Sequence, residues 1–236
     1  VQASITYAIG ANVENLVLAG TTAINGTGNT ANNVLTGNSA ANVLDGGTGT
    51  DTLKGGQGDD TYIVDDTTDV VTELLNEGTD TVQSSINYTV GANVENLTLT
   101  GGSDLTGTGN SLNNVLIGNG GANTLNGGIG ADTLMGGQGD DRYLIDNVGD
   151  VVTEELNEGV DTVQSSVTYT LSANVEHLIL AGSAAINGMG NSLDNILTGN
   201  AGANVLDGGA GADTLIGGRG NDTYVVDGVG DVVTEN

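Results

Sequence analysis

A nine-residue period governs the stretch "GGTGTDTLKGGQGDDTYIVD", residues 46–65. Paired glycines open each nonapeptide, and an acid, Asp51 or Asp60, follows at the sixth position. A helix returns to one face every three or four residues and a strand every two, so neither element repeats on nine. The period therefore predicts a glycine-rich turn of about six residues followed by a short strand whose middle residue points into a core.

Two such nonapeptides would form one flattened coil of eighteen residues with a turn at each edge. Turns eighteen residues apart would then stack about 4.8 Å apart, which is the spacing of paired strands. Carboxylates repel at that distance unless a cation lies between them. Carboxylate and backbone carbonyl oxygens are the ligands that Ca²⁺ prefers, so the pattern predicts calcium as the cofactor.

The tandem motif occurs three times, over residues 46–60, 127–141 and 208–222. The pattern G-G-x-G-x-D-x-U-x, in which U is a large apolar residue, resembles the calcium-binding nonapeptide of the RTX (repeats-in-toxin) family. That resemblance implies an all-β fold, an elongated right-handed parallel β-roll or β-helix of about thirteen coils. It also implies a bacterial protein that is exported by type I secretion and is extracellular, with folding coupled to calcium binding.

A longer repeat, equal in length to nine nonapeptides, underlies the whole chain. Versions of one segment begin at Ser4, Ser85 and Ser166. We therefore expect three 81-residue units in a single continuous solenoid over residues 1–236, with clear nonapeptide blocks at 28–69, 109–150 and 190–231. The chain begins and ends within a unit, which suggests a fragment of a longer array whose uncapped ends could associate end to end.

The resemblance implies that calcium is bound by turn carbonyls and sixth-position carboxylates from two successive coils. The candidate ligands in the glycine turns are Gly46, Gly47, Thr48, Gly49, Asp51, Gly55, Gln57 and Asp60 in the first unit, Gly127, Gly128, Ile129, Gly130, Asp132, Gly136, Gln138 and Asp141 in the second, and Gly208, Gly209, Ala210, Gly211, Asp213, Gly217, Arg219 and Asp222 in the third.

Acids one coil further along extend the nine-residue frame beyond the glycine motifs. Eighteen residues after Asp51 stands Asp69, and the same step leads to Asp150 and Asp231 in the other units. The frame predicts that each shares an ion with the motif acid before it, and the resemblance adds the carbonyls of Val64 and Asp66 opposite Gly47 and Gly49. The alternative is that these acids are ordinary solvated turn residues.

Asparagine takes the sixth position in the turns that precede the motifs. Its carbonyl oxygen could make these turns weak metal half-sites, or its amide could form a metal-free hydrogen-bonded ladder. Both interpretations stay open for Asn33, Asn42, Asn114, Asn123, Asn195 and Asn204.

Composition limits the possible partners. The chain has 3 Lys+Arg against 30 Asp+Glu and a formal net charge of −27, which excludes nucleic acid and anionic membrane surfaces as direct partners. No apolar run reaches membrane-spanning length, so we expect no membrane insertion. With this charge and 41 glycines, the metal-free chain is expected to be largely disordered.

Catalytic constellations are missing from the sequence. It has no cysteine and a single histidine, His177, so it carries neither a Cys nucleophile nor the zinc-binding H-E-x-x-H pattern. The sequence therefore predicts that this chain is not an enzyme. The alternative function is a structural or adhesive stalk, or a surface-recognition array, stiffened by calcium. A less favoured one is an accessory region of a secreted protease, lipase or polysaccharide-modifying enzyme.

The segment between two blocks, residues 70–108, loses the strict nonapeptide register. It keeps the alternation of strands with one buried face. We expect wider β-helical coils that continue the stack, and the alternative is a small antiparallel insertion beside it.

Overall fold

A computed structural model describes residues 1–235, which form 27 short β-strands and no helix. The strands are β1 Gln2–Ala3, β2 Tyr7–Ala8, β3 Asn15–Leu18, β4 Gly26–Thr27, β5 Val34–Thr36, β6 Val43–Asp45, β7 Thr52–Lys54, β8 Thr61–Val64, β9 Val70–Val71, β10 Thr81–Ser84, β11 Tyr88–Thr89, β12 Asn96–Leu99, β13 Thr106–Thr108 and β14 Val115–Ile117. They continue as β15 Thr124–Asn126, β16 Thr133–Met135, β17 Arg142–Ile145, β18 Val151–Thr153, β19 Thr162–Ser165, β20 Tyr169–Thr170, β21 His177–Leu180, β22 Gly188–Met189, β23 Ile196–Thr198, β24 Val205–Asp207, β25 Thr214–Ile216, β26 Thr223–Val225 and β27 Val232–Thr234.

Successive strands alternate between the two faces of a flattened solenoid. Odd-numbered strands form one face, as a sheet of five from β1 to β9 and a sheet of nine from β11 to β27. Even-numbered strands form the other, as a sheet of nine from β2 to β18 and a sheet of four from β20 to β26. Two strands make one coil, so the stack has about thirteen coils, and the predicted parallel β-solenoid is confirmed.

Within the nonapeptide blocks, each strand pairs in parallel with the strand eighteen residues later. Leu35 is thus opposite Leu53, and Leu116 is opposite Leu134. These side chains are completely buried. A three-residue strand has one inward position, so the core is a narrow column of leucines contributed by both faces.

The segments between blocks continue the same parallel stack, and the antiparallel alternative is wrong. The offset between paired residues is 20 from Thr61 to Thr81, 15 from Thr81 to Asn96 and 19 from Asn96 to Val115. Two of these coils are wider than eighteen, as expected, but the middle one is narrower. The three offsets together equal three coils of eighteen, so the next block resumes in register.

Each repeat unit contributes nine strands, and this odd number places equivalent residues of successive units on opposite faces. Tyr62 lies in β8 on the even face, and its equivalent Tyr143 lies in β17 on the odd face. Equivalent tyrosines of successive units therefore do not stack on one another. Tyr62 instead lies in register between Leu44 and Val82 in the core column.

Candidate metal centre

The sixth-position residues form a ladder along each edge of the solenoid. Asp51 Oδ1 accepts a hydrogen bond from the backbone N–H of Asn33, one coil earlier, at 2.7 Å. Asp69 Oδ1 accepts in the same way from Asp51 N–H at 3.0 Å. The equivalent bonds from Asp132 to Asp150 and from Asp213 to Asp231 measure 3.1 and 3.2 Å. Each aspartate thus reaches back to the preceding coil.

Asp69, Asp150 and Asp231 lie where the nine-residue frame predicts them, one coil after a motif acid. Asp150 is only 6% exposed, so it is not a freely solvated turn acid. The carbonyls of Val64 and Asp66, expected opposite Gly47 and Gly49, accept hydrogen bonds from Ser85 and Asp69 N–H. The Asp66 side chain is bound by Thr68, which holds the pKa of Asp66 below its usual value.

Glycine pairs allow the turns to pack against each other and against the acids. A Cβ on Gly46 would collide with Asp51 Oδ2, and Gly47 has φ +78°, in the left-handed region. The third position of each motif turn carries an exposed side chain, so only its backbone could face an ion; these residues are Thr48, Gln57, Ile129, Gln138, Ala210 and Arg219.

The asparagine turns satisfy their own hydrogen bonds. Asn42 Oδ1 accepts from Asn38 N–H at 2.8 Å, and Asn42 Nδ2 donates to Ile24 O at 2.6 Å. In the other five asparagine turns, the side-chain Oδ1 likewise accepts a hydrogen bond from the backbone N–H four residues earlier; these residues are Asn33, Asn114, Asn123, Asn195 and Asn204. The hydrogen-bonded ladder is therefore the interpretation that the geometry favours.

The aspartate turns, by contrast, leave carboxylate oxygens without partners. Across residues 1–235, twelve buried side-chain oxygens or nitrogens lack a hydrogen-bond partner, and all twelve are carboxylate oxygens. Lys54, Arg142 and Arg219 are exposed and do not neutralise them. The twelve atoms are Oδ2 of Asp51, Asp60, Asp80, Asp132, Asp141, Asp161, Asp213 and Asp222, and both carboxylate oxygens of Glu73 and Glu154.

Two groups of three buried carboxylates converge at the start of the segments between blocks. One consists of Asp60, Glu73 and Asp80, and the other of Asp141, Glu154 and Asp161. In each group, the ligand atoms lie within 4.8 Å of one another. An isolated buried carboxylate is strongly disfavoured in an apolar surrounding, so such a group requires a cation or protons.

Hydrogen bonds fix the two aspartates of the first group. Asp60 Oδ1 accepts from Asn42 N–H at 2.6 Å, and Asp80 Oδ1 accepts from Asp60 N–H at 2.8 Å. Asp80 N–H in turn donates to Glu95 Oε2 at 2.8 Å. The ladder therefore runs unbroken from the block into the following segment.

Burial raises the pKa of every carboxyl in these groups, and the neighbouring carboxylates add to the shift. In the first group, the pKa of Glu73 rises to about 8, that of Asp60 to about 7 and that of Asp80 to about 6. The second group behaves alike, with the pKa of Glu154 at about 9, of Asp141 at about 7 and of Asp161 at about 6. Burial also raises the pKa of Asp51, Asp132 and Asp213. A bound divalent cation would offset this penalty by favouring the ionised forms.

Glu73, Asp80 and their equivalents Glu154 and Asp161 were not predicted from the sequence. A step of eighteen from Asp60 leads to Gly78, whereas the coil there is wider, pairs Thr61 with Thr81 and ends on Asp80. One signal could have found them: for each, an acid recurs at the equivalent position of the next unit, within residues 70–80 and 151–161, which carry no glycine pair.

Comparison with protein families identifies the blocks. The model of the RTX calcium-binding nonapeptide repeat, in four copies, matches residues 27–62, 108–143 and 189–224. The chain carries RTX calcium-binding nonapeptide repeats. RTX β-rolls are structural calcium-binding domains that are not catalytic by themselves, and the family is typical of secreted bacterial proteins. The matches to the RTX repeat stop before Glu73 and Glu154.

Two further searches give negative results. A search of curated proteins found no match to the chain. Over residues 1–235, no helix has the length and apolar character needed to cross a membrane.

Proposed function

We propose that this chain is a calcium-binding RTX module whose folding is coupled to Ca²⁺ binding, within a bacterial protein that is exported by type I secretion and works outside the cell. The observation that supports this proposal is the set of twelve buried carboxylate oxygens without partners. Native proteins rarely bury unpaired polar atoms, and here all of them are hard anionic ligands of the kind that calcium takes.

The proposed repeat sites pair aspartates one coil apart. Asp51 and Asp69 would share an ion, as would Asp132 with Asp150 and Asp213 with Asp231. Backbone carbonyls of the glycine turns would supply further oxygens, since Ca²⁺ takes six to eight. The asparagine turns would need no metal, because hydrogen bonds already engage their side chains.

Ion binding would supply the stability that this chain otherwise lacks. At a hundredfold excess over its dissociation constant, each ion that binds only the folded state adds about 2.7 kcal/mol. Extracellular calcium modules bind with dissociation constants of roughly 10⁻⁴ to 10⁻³ M, so the chain would stay unfolded in a low-calcium cytosol and fold after export. Its catalytic or adhesive activity, where the parent protein has one, would lie in other domains.

A calcium titration followed by circular dichroism and sedimentation velocity tests this function. We expect a disordered, expanded chain in chelator and a β-rich, compact one in millimolar calcium. Magnesium should substitute poorly, since it demands a smaller octahedral site. A β-rich spectrum that persists unchanged in excess chelator would refute the proposal.

A further inference from the structure

We propose that Glu73 and Glu154 each complete a three-carboxylate calcium site that extends beyond the RTX repeat turns, the first with Asp60 and Asp80 and the second with Asp141 and Asp161. This inference rests on the proposed function, because it assigns two additional sites to the same calcium-binding module.

The spacing of the ligand atoms suits one calcium ion. Calcium–oxygen bonds run from about 2.3 to 2.6 Å, so two ligands on opposite sides of an ion lie roughly 4.6 to 5.2 Å apart. The three carboxylates of each group have oxygens within 4.8 Å of one another. A single ion between them can therefore contact all three.

Burial of the glutamate is the observation that sets these groups apart from ordinary acidic clusters. Glu73 is 6% exposed and Glu154 is 5% exposed, and neither oxygen of either side chain has a hydrogen-bond partner. Asp60 and Asp80 each commit Oδ1 to a backbone N–H and keep Oδ2 free. Each group thus brings four unpartnered oxygens to one buried point.

The loop that carries the glutamate reverses the usual order of burial. Residues 72–80 join β9 to β10, and this loop buries Glu73 while it exposes Leu74 (64%) and Leu75 (73%). In the second unit, Glu154 is buried and Leu156 is 73% exposed. A loop placed by the hydrophobic effect alone would turn a leucine inward, so a ligand for the glutamate is needed to explain this arrangement.

Close packing holds the loop over the preceding RTX turn. A Cβ on Gly78 would collide with Gly58 O, and Gly58 N–H donates to Glu77 O at 2.7 Å. In an RTX site, a glycine-rich turn would lie here and would offer backbone carbonyls to the ion. This loop takes the place of that turn, and a third carboxylate takes the place of those carbonyls. Because affinity for calcium rises with ligand charge, these sites should fill before the two-aspartate repeat sites.

Calcium stoichiometry in the whole chain tests the inference, with Glu154→Gln against Glu155→Gln. Glu155 is adjacent and exposed, so its substitution removes the same charge without touching the group. Equilibrium dialysis at saturating calcium should show one ion fewer for Glu154→Gln and an unchanged number for Glu155→Gln. The double change Glu73→Gln with Glu154→Gln should lose two ions. An unchanged number in Glu154→Gln would overturn the inference.

A second variant covers the event that Glu154→Gln does not fold. Asp161→Asn keeps the oxygen that accepts from Asp141 N–H at 2.8 Å and removes only the charge, so it should also lose one ion. If neither variant folds in calcium, anomalous scattering from calcium in wild-type crystals decides: density within about 2.6 Å of a Glu154 oxygen supports the site, and its absence refutes it. If the wild-type chain folds with calcium and Glu154→Gln keeps every ion, only this inference is refuted. If the wild-type chain binds no calcium, the proposed function is refuted as well.

Discussion

The asparagine and aspartate turns of each RTX block differ in backbone and in their sixth residue: the aspartate turns carry glycines with positive φ, such as Gly47 and Gly49, and the asparagine turns carry no residue with positive φ. Asn42 uses both ends of its amide, accepting from Asn38 N–H and donating to Ile24 O. Asp60, one coil later, accepts from Asn42 N–H with one oxygen and buries the other without a partner. The asparagine turn thus closes by hydrogen bonds, whereas the aspartate turn leaves a buried carboxylate oxygen without a partner.

The order of the two kinds of turn also matters. In each block, the asparagine turns come first and the aspartate turns follow on the same edges. The backbone N–H of each asparagine then anchors the carboxylate of the next coil, as Asn33 does for Asp51 at 2.7 Å. The self-sufficient coils therefore provide a base on which the charged coils can be assembled once calcium arrives.

The largest expected effect is that of pH, because burial raises the pKa values of carboxyls in the aspartate turns and the carboxylate groups, whereas asparagine at the sixth position does not titrate. In the metal-free fold, the pKa values of the two three-carboxylate groups reach about 6 to 9, above the ordinary values near 4. A raised carboxyl pKa stabilises the metal-free fold below about pH 4 and loses that contribution as the pH rises through the folded-state value. In the disordered chain the carboxyls are already ionised above about pH 5, so the calcium midpoint of folding should change little from pH 5 to pH 9, whereas acid should stabilise the metal-free fold.

This pH dependence is measured by calcium titrations at several pH values, followed by circular dichroism. The chelated chain should also gain β-structure on acidification from pH 8 to pH 4. A chelated chain that gains no β-structure at pH 4 would mean that the buried carboxylates are not what destabilises the metal-free fold.

A smaller effect is expected from removing one partner of a two-aspartate site. Asp132→Ala and Asp150→Ala should each cost up to about 2.7 kcal/mol at a hundredfold excess of calcium, the contribution of one ion. The double variant should cost less than the sum, since both residues serve the same ion. Urea unfolding at fixed calcium gives the free energies, with Glu155→Ala as the control for lost charge. Additive losses of stability, or an Asp150→Ala variant that loses no stability, would show that Asp150 does not belong to the site.

A substitution in the asparagine turns should have an effect of similar size on stability, but it should leave the ion count unchanged. Asn114→Ala removes the acceptor of Asn110 N–H and the donor to Val94 O and Glu95 O. Loss of these buried partners should cost about 1 to 3 kcal/mol in urea unfolding at saturating calcium. Equilibrium dialysis should find as many ions as in the wild-type chain. A lost ion would make the asparagine turn a metal half-site after all.

The solenoid and the edge position of Asp69 could be predicted because both follow from a local period. A nine-residue turn and strand repeats the same backbone geometry, so eighteen residues always return to the same edge within a block. The coil widths between blocks could not be predicted, since the one glycine pair there, Gly101–Gly102, does not recur in the next unit to mark a turn. The offset between paired residues differs from eighteen in each of these coils, and only the sum of the three offsets equals three coils of eighteen.

The prediction of the site failed for the same reason. Asp80 lies beyond the position that the strict frame reaches, and Glu73 enters the group from a loop whose course depends on tertiary packing against Gly58. Because each unit has nine strands, equivalent residues of successive units lie on opposite faces. This becomes evident only when the strands of the folded chain are counted. Local periodicity therefore accounts for the blocks, and packing between coils accounts for the segments that join them.

Anomalous scattering from calcium in crystals of the whole chain tests most directly whether calcium completes the aspartate turns and not the asparagine turns. We predict ions within about 2.6 Å of carboxylate oxygens at the pairs Asp51 and Asp69, Asp132 and Asp150, and Asp213 and Asp231. No ion should lie between the turns of Asn114 and Glu95, where amide hydrogen bonds occupy the space. Calcium beside Asp132 but more than about 4 Å from Asp150, well beyond calcium–oxygen bond lengths, would contradict the account, as would equal density at asparagine turns.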